Sequence, residues 1–162
     1  MEPNEICCFT GHRSIDPRDA GSLPSALDKV LCALYRRGVR TFRAGGALGF
    51  DTFAALRVLE MKEVYPDVRL ELCLPCRDQA NKWSARDRKI YDHILKRSDS
   101  VRYVTDHYYG GCMQARNRML VDGAGYCVAY YSGSPGGTRY TCTYALGNGL
   151  KLVNTYEMIR QS

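Results

Sequence analysis

Residues 39–61 read VRTFRAGGALGFDTFAALRVLEM. Val39 to Ala44 is a short apolar and β-branched run, Gly45-Gly46-Ala47-Leu48-Gly49 breaks it, and Phe50, Ala54, Val58 and Met61 then share one helical face. The order is strand, glycine turn, helix, and the unit repeats on both sides. Upstream, Glu5 to Phe9 predicts a buried strand ending in Thr10-Gly11-His12-Arg13. Leu23, Leu27, Val30, Leu31, Leu34 and Tyr35 then predict a helix that stops at Gly38. Downstream, Val68 to Leu74 predicts a third strand closed by Pro75, and a polar stretch to Trp83 leads to a charged helix holding Ile90, Ile94 and Leu95. A short strand over Val101 to Val104 follows, then a helix from about Met113 to Val121 and a strand over Tyr126 to Tyr130. The loop Ser132-Gly133-Ser134-Pro135-Gly136-Gly137-Thr138 precedes a short helix to Leu146, a Gly147-Asn148-Gly149 stop and a last strand over Leu150 to Val153. Such alternation implies right-handed crossovers with helices on both faces. The expected fold is α/β: a single-domain Rossmann-like three-layer α/β/α sandwich over residues 1–162, with a mostly parallel sheet.

Composition agrees with that class. The chain has 162 residues, 45% hydrophobic and 25% charged, which excludes collagen-like, coiled-coil and strongly disordered classes and suits one ordinary core. No apolar run approaches the roughly 18 residues needed to span a bilayer, and Met1–Glu5 is unlike a signal peptide, so a cytoplasmic location without membrane contact is expected. Eight cysteines fall below disulfide-scaffold density and sit in apolar segments, so they read as reduced and buried. Cys73-Leu74-Pro75-Cys76 is the one C-x-x-C. Zinc would need a second pair at ligand spacing, and small hydrophobes at a strand end explain the pair more simply. Twenty-three Lys and Arg against seventeen Asp and Glu leave a formal +6, which favours anionic partners, small phosphate ligands and nucleic acid alike.

In an open parallel sheet, ligands bind beyond the strands' carboxyl ends, near the point where strand order reverses. Three glycine-bearing loops fall there: Thr10 to Arg13, Gly45 to Asp51, and Ser132 to Thr138. Glycine lets the backbone approach a ligand, and the helix that follows offers free N–H groups and partial positive charge, so a phosphate or pyrophosphate site is expected. Named fingerprints are absent. Gly45 to Gly49 is not G-x-G-x-x-G, no Gly-Lys-Ser/Thr occurs, no G-x-S-x-G marks a hydrolase elbow, and no metal-ligand cluster is visible. No cofactor is required by this pattern, and catalysis is not demanded by any residue in it.

The order Thr10-Gly11-His12-Arg13, Gly45-Gly46-Ala47-Leu48-Gly49-Phe50-Asp51, Gln79 with Lys82-Trp83, Arg116-Asn117 and Gly136-Gly137-Thr138 resembles the SLOG superfamily. That group joins the LOG phosphoribohydrolases, the DNA-processing protein DprA and the YpsA-like proteins, and the likeness is to the YpsA-like branch. It covers nearly the whole chain. The resemblance implies a Rossmann-like fold and recognition of a nucleotide-derived ligand such as ADP-ribose, an NAD derivative or AMP, by analogy with SLOG sensors of bacterial antiphage systems. Two other activities come with it: N-glycosidic hydrolysis, as in LOG enzymes, and single-stranded DNA binding, as in DprA. LOG proteins carry M-x-x-R-K and P-G-G-x-G-T-x-x-E. Here Met113-Gln114-Ala115-Arg116-Asn117 keeps the Arg and replaces the Lys, and Thr141 stands where the catalytic Glu would be. LOG relatives are often dimers, so a homodimer is implied by resemblance alone.

Each candidate has a plainer reading. The backbone after Gly11, Gly46 and Gly136 would hold phosphates, with Gly45, Gly49 and Gly137 shaping the same loops. Arg13 and Arg116 would neutralise the charge, unless each only answers an internal carboxylate. His12 and Asn117 are ligand contacts or satisfied polar groups. Asp51 either favours its helix's N-terminus or meets a ribose hydroxyl. Gln79 would read a base edge, and Trp83 or Tyr131 would cover the base or simply pack. Thr10 ends the first strand, and Thr138 caps a helix or touches phosphate.

Overall fold

The computed structural model describes residues 2–161. Met1 and Ser162, the ends of the expected domain, lie outside the described residues. Six apolar runs form strands: β1 (Ile6–Gly11), β2 (Thr41–Ala44), β3 (Arg69–Cys76), β4 (Ser100–Thr105), β5 (Tyr126–Tyr130) and β6 (Lys151–Asn154). They alternate with α1 (Leu23–Arg36), α2 (Phe50–Val64), α3 (Ala85–Arg97), α4 (Cys112–Val121), α5 (Gly137–Gly147) and α6 (Thr155–Gln161). The sheet order is β4-β3-β2-β1-β5-β6, and every pairing is parallel. The Rossmann-like α/β fold read from the sequence is the fold observed.

The period-two alternation of β1 sorts the layers. Cys7 and Phe9 face a core built with α1, α2, α3 and α6, where Phe9 stacks on Phe42 at 5.9 Å. Ile6 and Cys8 face a smaller core with Leu120 and Val121 of α4 and Ala145 of α5. All eight cysteines are free thiols, and Cys32 alone is not fully buried. Local chemistry fixes the helix ends. Ser84 Oγ accepts the Asp87 N–H at 3.1 Å and caps α3, while Gly38 takes a positive φ just past α1. From β2, Arg43 donates to the Leu120 and Asp122 carbonyls at 3.1 and 2.6 Å, holding the carboxyl end of α4 against the sheet. Among the described residues, no helix is long and apolar enough to cross a membrane.

Candidate functional site

Strand order reverses between β1 and β5, so the connections leaving their carboxyl ends diverge and open a crevice. A cavity of about 540 Å³ fills it. Thr10, Gly11, His12 and Arg13 come from β1, Ala47 and Asp51 from the β2 side, and Pro135, Gly136, Gly137 and Thr138 from the start of α5. One face of α4 closes it with Met113, Arg116, Asn117 and Leu120, at helical i, i+3, i+4, i+7 spacing.

The floor carries buried charge. Arg116 and Asp51 are each 5% exposed. The Arg116 guanidinium donates from Nη1 to the Gly45 carbonyl and from Nε to Asn117 Oδ1 at 2.8 Å. Among the described residues it forms no ion pair, although the charge of Asp51 attracts it. Burial pulls Arg116 below its ordinary pKa, but from so high a starting value the group stays charged. Gly45 leaves room for both side chains: a Cβ there would lie 2.6 Å from Arg116 Nη1 and 2.8 Å from Asp51 Oδ2. Asp51 Oδ1 is buried without a hydrogen-bond partner. Burial raises the Asp51 carboxyl to about 6, and the attraction of Arg116 only partly opposes it.

Helix N-termini meet this floor. The first residues of α5 follow Gly136, which has φ 137°, and among the described residues no side chain caps this helix start, whose Gly137 and Thr138 line the cavity. α2 also starts on a glycine, Gly49 with φ 84°, but its first N–H is taken by the His12 carbonyl at 3.1 Å. Gly46 packs against Leu74 and the Gln79 amide and does not line the cavity. Of the three glycine loops, the one after β5 is open, the one after β1 forms a wall, and the one after β2 is mostly interior.

Gln79 and Trp83 line a second cavity of about 430 Å³, reached past Arg13 and Met113, which border both spaces. There the Gln79 amide has neither its oxygen nor its nitrogen paired, and the Trp83 ring meets Tyr91 edge-on at 5.3 Å. Arg13 is exposed and makes no hydrogen bond or ion pair among the described residues. Tyr131 stands apart from both cavities. Its backbone N–H goes to Asn154 Oδ1 and its hydroxyl accepts from Arg139 Nε, each at 3.0 Å.

A model of the YspA SLOG family, YpsA, matches residues 6–160. The chain belongs to that family. Its similarity extends to a UPF0398 protein of Halalkalibacterium halodurans, 32% identical over 73% of this chain and 64% of that protein. A Bacillus pumilus UPF0398 protein is 30% identical over 70% of this chain and 64% of its own length. This SLOG chain therefore spans just under two thirds of those relatives. In fold it is similar to DprA of Streptococcus pneumoniae, with TM-score 0.68 and 15% identity, over 97% of this chain and 56% of that one. DprA of Helicobacter pylori, whose structure concerns a single-stranded DNA binding mode, superimposes with TM-score 0.64 and 15% identity over 98% of this chain and 73% of that one.

At the LOG glutamate's place this SLOG protein has Thr141, fully buried, with Oγ1 donating to the Gly137 carbonyl at 3.0 Å. Asp51 is the one carboxylate lining the main cavity among the described residues. Sequence reasoning missed Gln114 and Pro135 on its wall. The signal for the α4 wall was present: Met113, Arg116, Asn117 and Leu120 lie on one face of a predicted helix.

Proposed function

We propose that this protein binds a nucleotide or nucleotide-derived ligand of the ADP-ribose or NAD class, with phosphate at the α5 N-terminus and Arg116, and the base in the Gln79 and Trp83 cavity. The observation that carries this reading is Arg116: a buried guanidinium with no ion pair among the described residues, lining a crevice beside the uncapped start of α5. Two connected spaces, one basic and one flanked by an aromatic ring and an unpaired amide, fit a ligand with an anionic and a planar half. Arg13 between them would meet the anion's outer oxygens. In this reading the protein senses or sequesters its ligand.

Thermal stability is the test, measured with AMP, ADP, ADP-ribose, cyclic ADP-ribose and NAD while each mixture is assayed for products. A ligand at about 100 times its Kd adds roughly 2.7 kcal/mol, a rise of about 5–10 °C for a chain of this length. A rise with one adenine nucleotide and no product is the expected result, and no rise with any of them overturns the reading. Release of free base or ribose 5-phosphate would convert it to the glycosidase reading, with Asp51→Asn abolishing turnover.

Single-stranded DNA binding is the second reading, favoured by Tyr108 and Tyr109, which stand 65% and 47% exposed, the first lining a cavity with Lys82, and by the DprA-like fold. It predicts affinity that falls with salt, with a log–log slope of roughly −0.7 per neutralised phosphate.

A further inference from the structure

His12 separates the main cavity from another of about 460 Å³ on its far side, and the ring is held by one residue of the β5–α5 loop. The Ser132 backbone N–H donates to His12 Nε2 at 2.9 Å, and Ser132 Oγ lies 2.9 Å from the same nitrogen. A backbone N–H can only donate, so Nε2 is bare and the neutral ring carries its proton on Nδ1. Ser132 Oγ–H must then point at Nε2. Ser134 Oγ, 2.9 Å from Ser132 Oγ, donates into the same chain. The result is a polarised series, Ser134 to Ser132 to His12, with a serine hydroxyl aimed at an imidazole lone pair. Burial holds His12 below its ordinary pKa, which keeps Nε2 unprotonated at neutral pH.

We propose that Ser132 and His12 form a nucleophile and general-base pair that cleaves a small, uncharged carboxylic ester bound in this far cavity. Ile15, Pro17 and Tyr156 supply apolar surface there for an acyl chain. The cavity's one acid, Asp16, is committed to Arg18 at 2.7 Å and faces Arg160 at 3.6 Å, so neither sign of charge is left to attract an ionic substrate. Ser132 Oγ attacks the acyl carbon as its proton passes to Nε2. The tetrahedral adduct expels the alkoxide, which takes that proton and leaves as alcohol. Water then attacks the acyl-serine, giving its proton to Nε2, and the Ser132 oxygen recovers a proton as the acid departs. The sequence holds no G-x-S-x-G elbow, and the pair is assembled by the fold from residues 120 positions apart. The site shares only His12 with the crevice assigned to nucleotide, and its activity does not depend on that assignment.

The test is covalent labelling of the full chain by a fluorophosphonate, with the modified residue located by mass spectrometry, alongside p-nitrophenyl acetate hydrolysis. In labelling, Ser132 Oγ displaces fluoride from phosphorus and His12 takes the proton. Labelling is expected at Ser132, absent in Ser132→Ala and slowed about 100-fold or more in His12→Gln. Ser132→Ala keeps the backbone N–H on Nε2, so the loop stays anchored and the loss reads the hydroxyl alone. The labelling rate should rise with acid-to-neutral pH and level once His12 is neutral. The His12 ring faces the Tyr130 and Tyr131 rings at 6.1 and 6.0 Å, and Arg13, Asp16, Asp51 and Arg116 border the two cavities beside it. No labelling, labelling elsewhere, an unchanged rate in His12→Gln, or a rate still climbing with pH above about 8 would each overturn the proposal.

Discussion

The loops after β2 and β5 both read as glycine turns leading into helices, yet their surroundings differ. A Cβ on Gly46 would meet Leu74 at 2.3 Å, and one on Gly49 would meet the Arg13 carbonyl oxygen at 2.2 Å, while Gly133 and Gly136 have nothing within 4 Å. The first loop uses glycine to let protein pack on protein. The second leaves its backbone open to whatever enters the crevice. A glycine motif thus reports close approach, and only the fold says whether the approaching atom belongs to the chain.

The largest effect should come from Arg116→Ala, which leaves Asp51 buried without its attracting charge beside Gly45. We expect a loss of about 3–5 kcal/mol in urea unfolding, and partial recovery when Asp51→Asn is added. Gly49→Ala follows, because a positive φ and a backbone oxygen at 2.2 Å leave no room to relax, and a loss of about 3–4 kcal/mol should appear in the same measurement. A mild effect there would mean that the two loops are alike after all.

Asp51 sharpens the contrast through pH. Its folded pKa of about 6 lies above its ordinary value of 3.8, so the folded state binds the proton more tightly. The stabilisation is complete below about pH 4 and is lost as pH rises through 6, a change of about 3 kcal/mol at 1.36 kcal/mol per pKa unit. Subtracting the stability curve of Asp51→Asn from that of the unsubstituted protein isolates this change from other carboxylates. Gly137→Ala should have the smallest effect on folding. Its Cβ would rest 3.7 Å from Asn117 Nδ2 at ordinary contact, so stability should move by less than about 0.5 kcal/mol. If the β5 loop holds the phosphate, nucleotide affinity in that variant falls about tenfold, roughly 1.4 kcal/mol by titration calorimetry.

The strands were legible within a residue or two because each is a short apolar run flanked by turn residues, as Tyr126 to Tyr130 illustrates. The helix α6 was not. Thr155–Gln161 is short and begins directly after β6, so neither a loop nor a long periodic face announced it. Within the site, the loops at β1 and β5 and the Arg116 face were readable from spacing. The absence of Tyr131 from both cavity walls was not, because its partners Asn154 and Arg139 come from β6 and α5. Nor was the burial of Asp51: a first-turn position suggested a helix dipole or a ribose contact, and the structure buries it beside Gly45 and Arg116.

The placement of β1 at the centre of the sheet has a consequence for synthesis. Its neighbour on one side, β2, follows soon after it, but its neighbour on the other, β5, is encoded from Tyr126 onward, with Cys7 beside Tyr126 and Gly11 beside Tyr130. While the intervening chain leaves the ribosome, the Ile6-Cys7-Cys8-Phe9 edge has no partner, and an apolar unpaired edge invites pairing with other chains. The crevice cannot exist before that edge closes, so a nascent chain acquires its crevice and its protection from aggregation in the same late event.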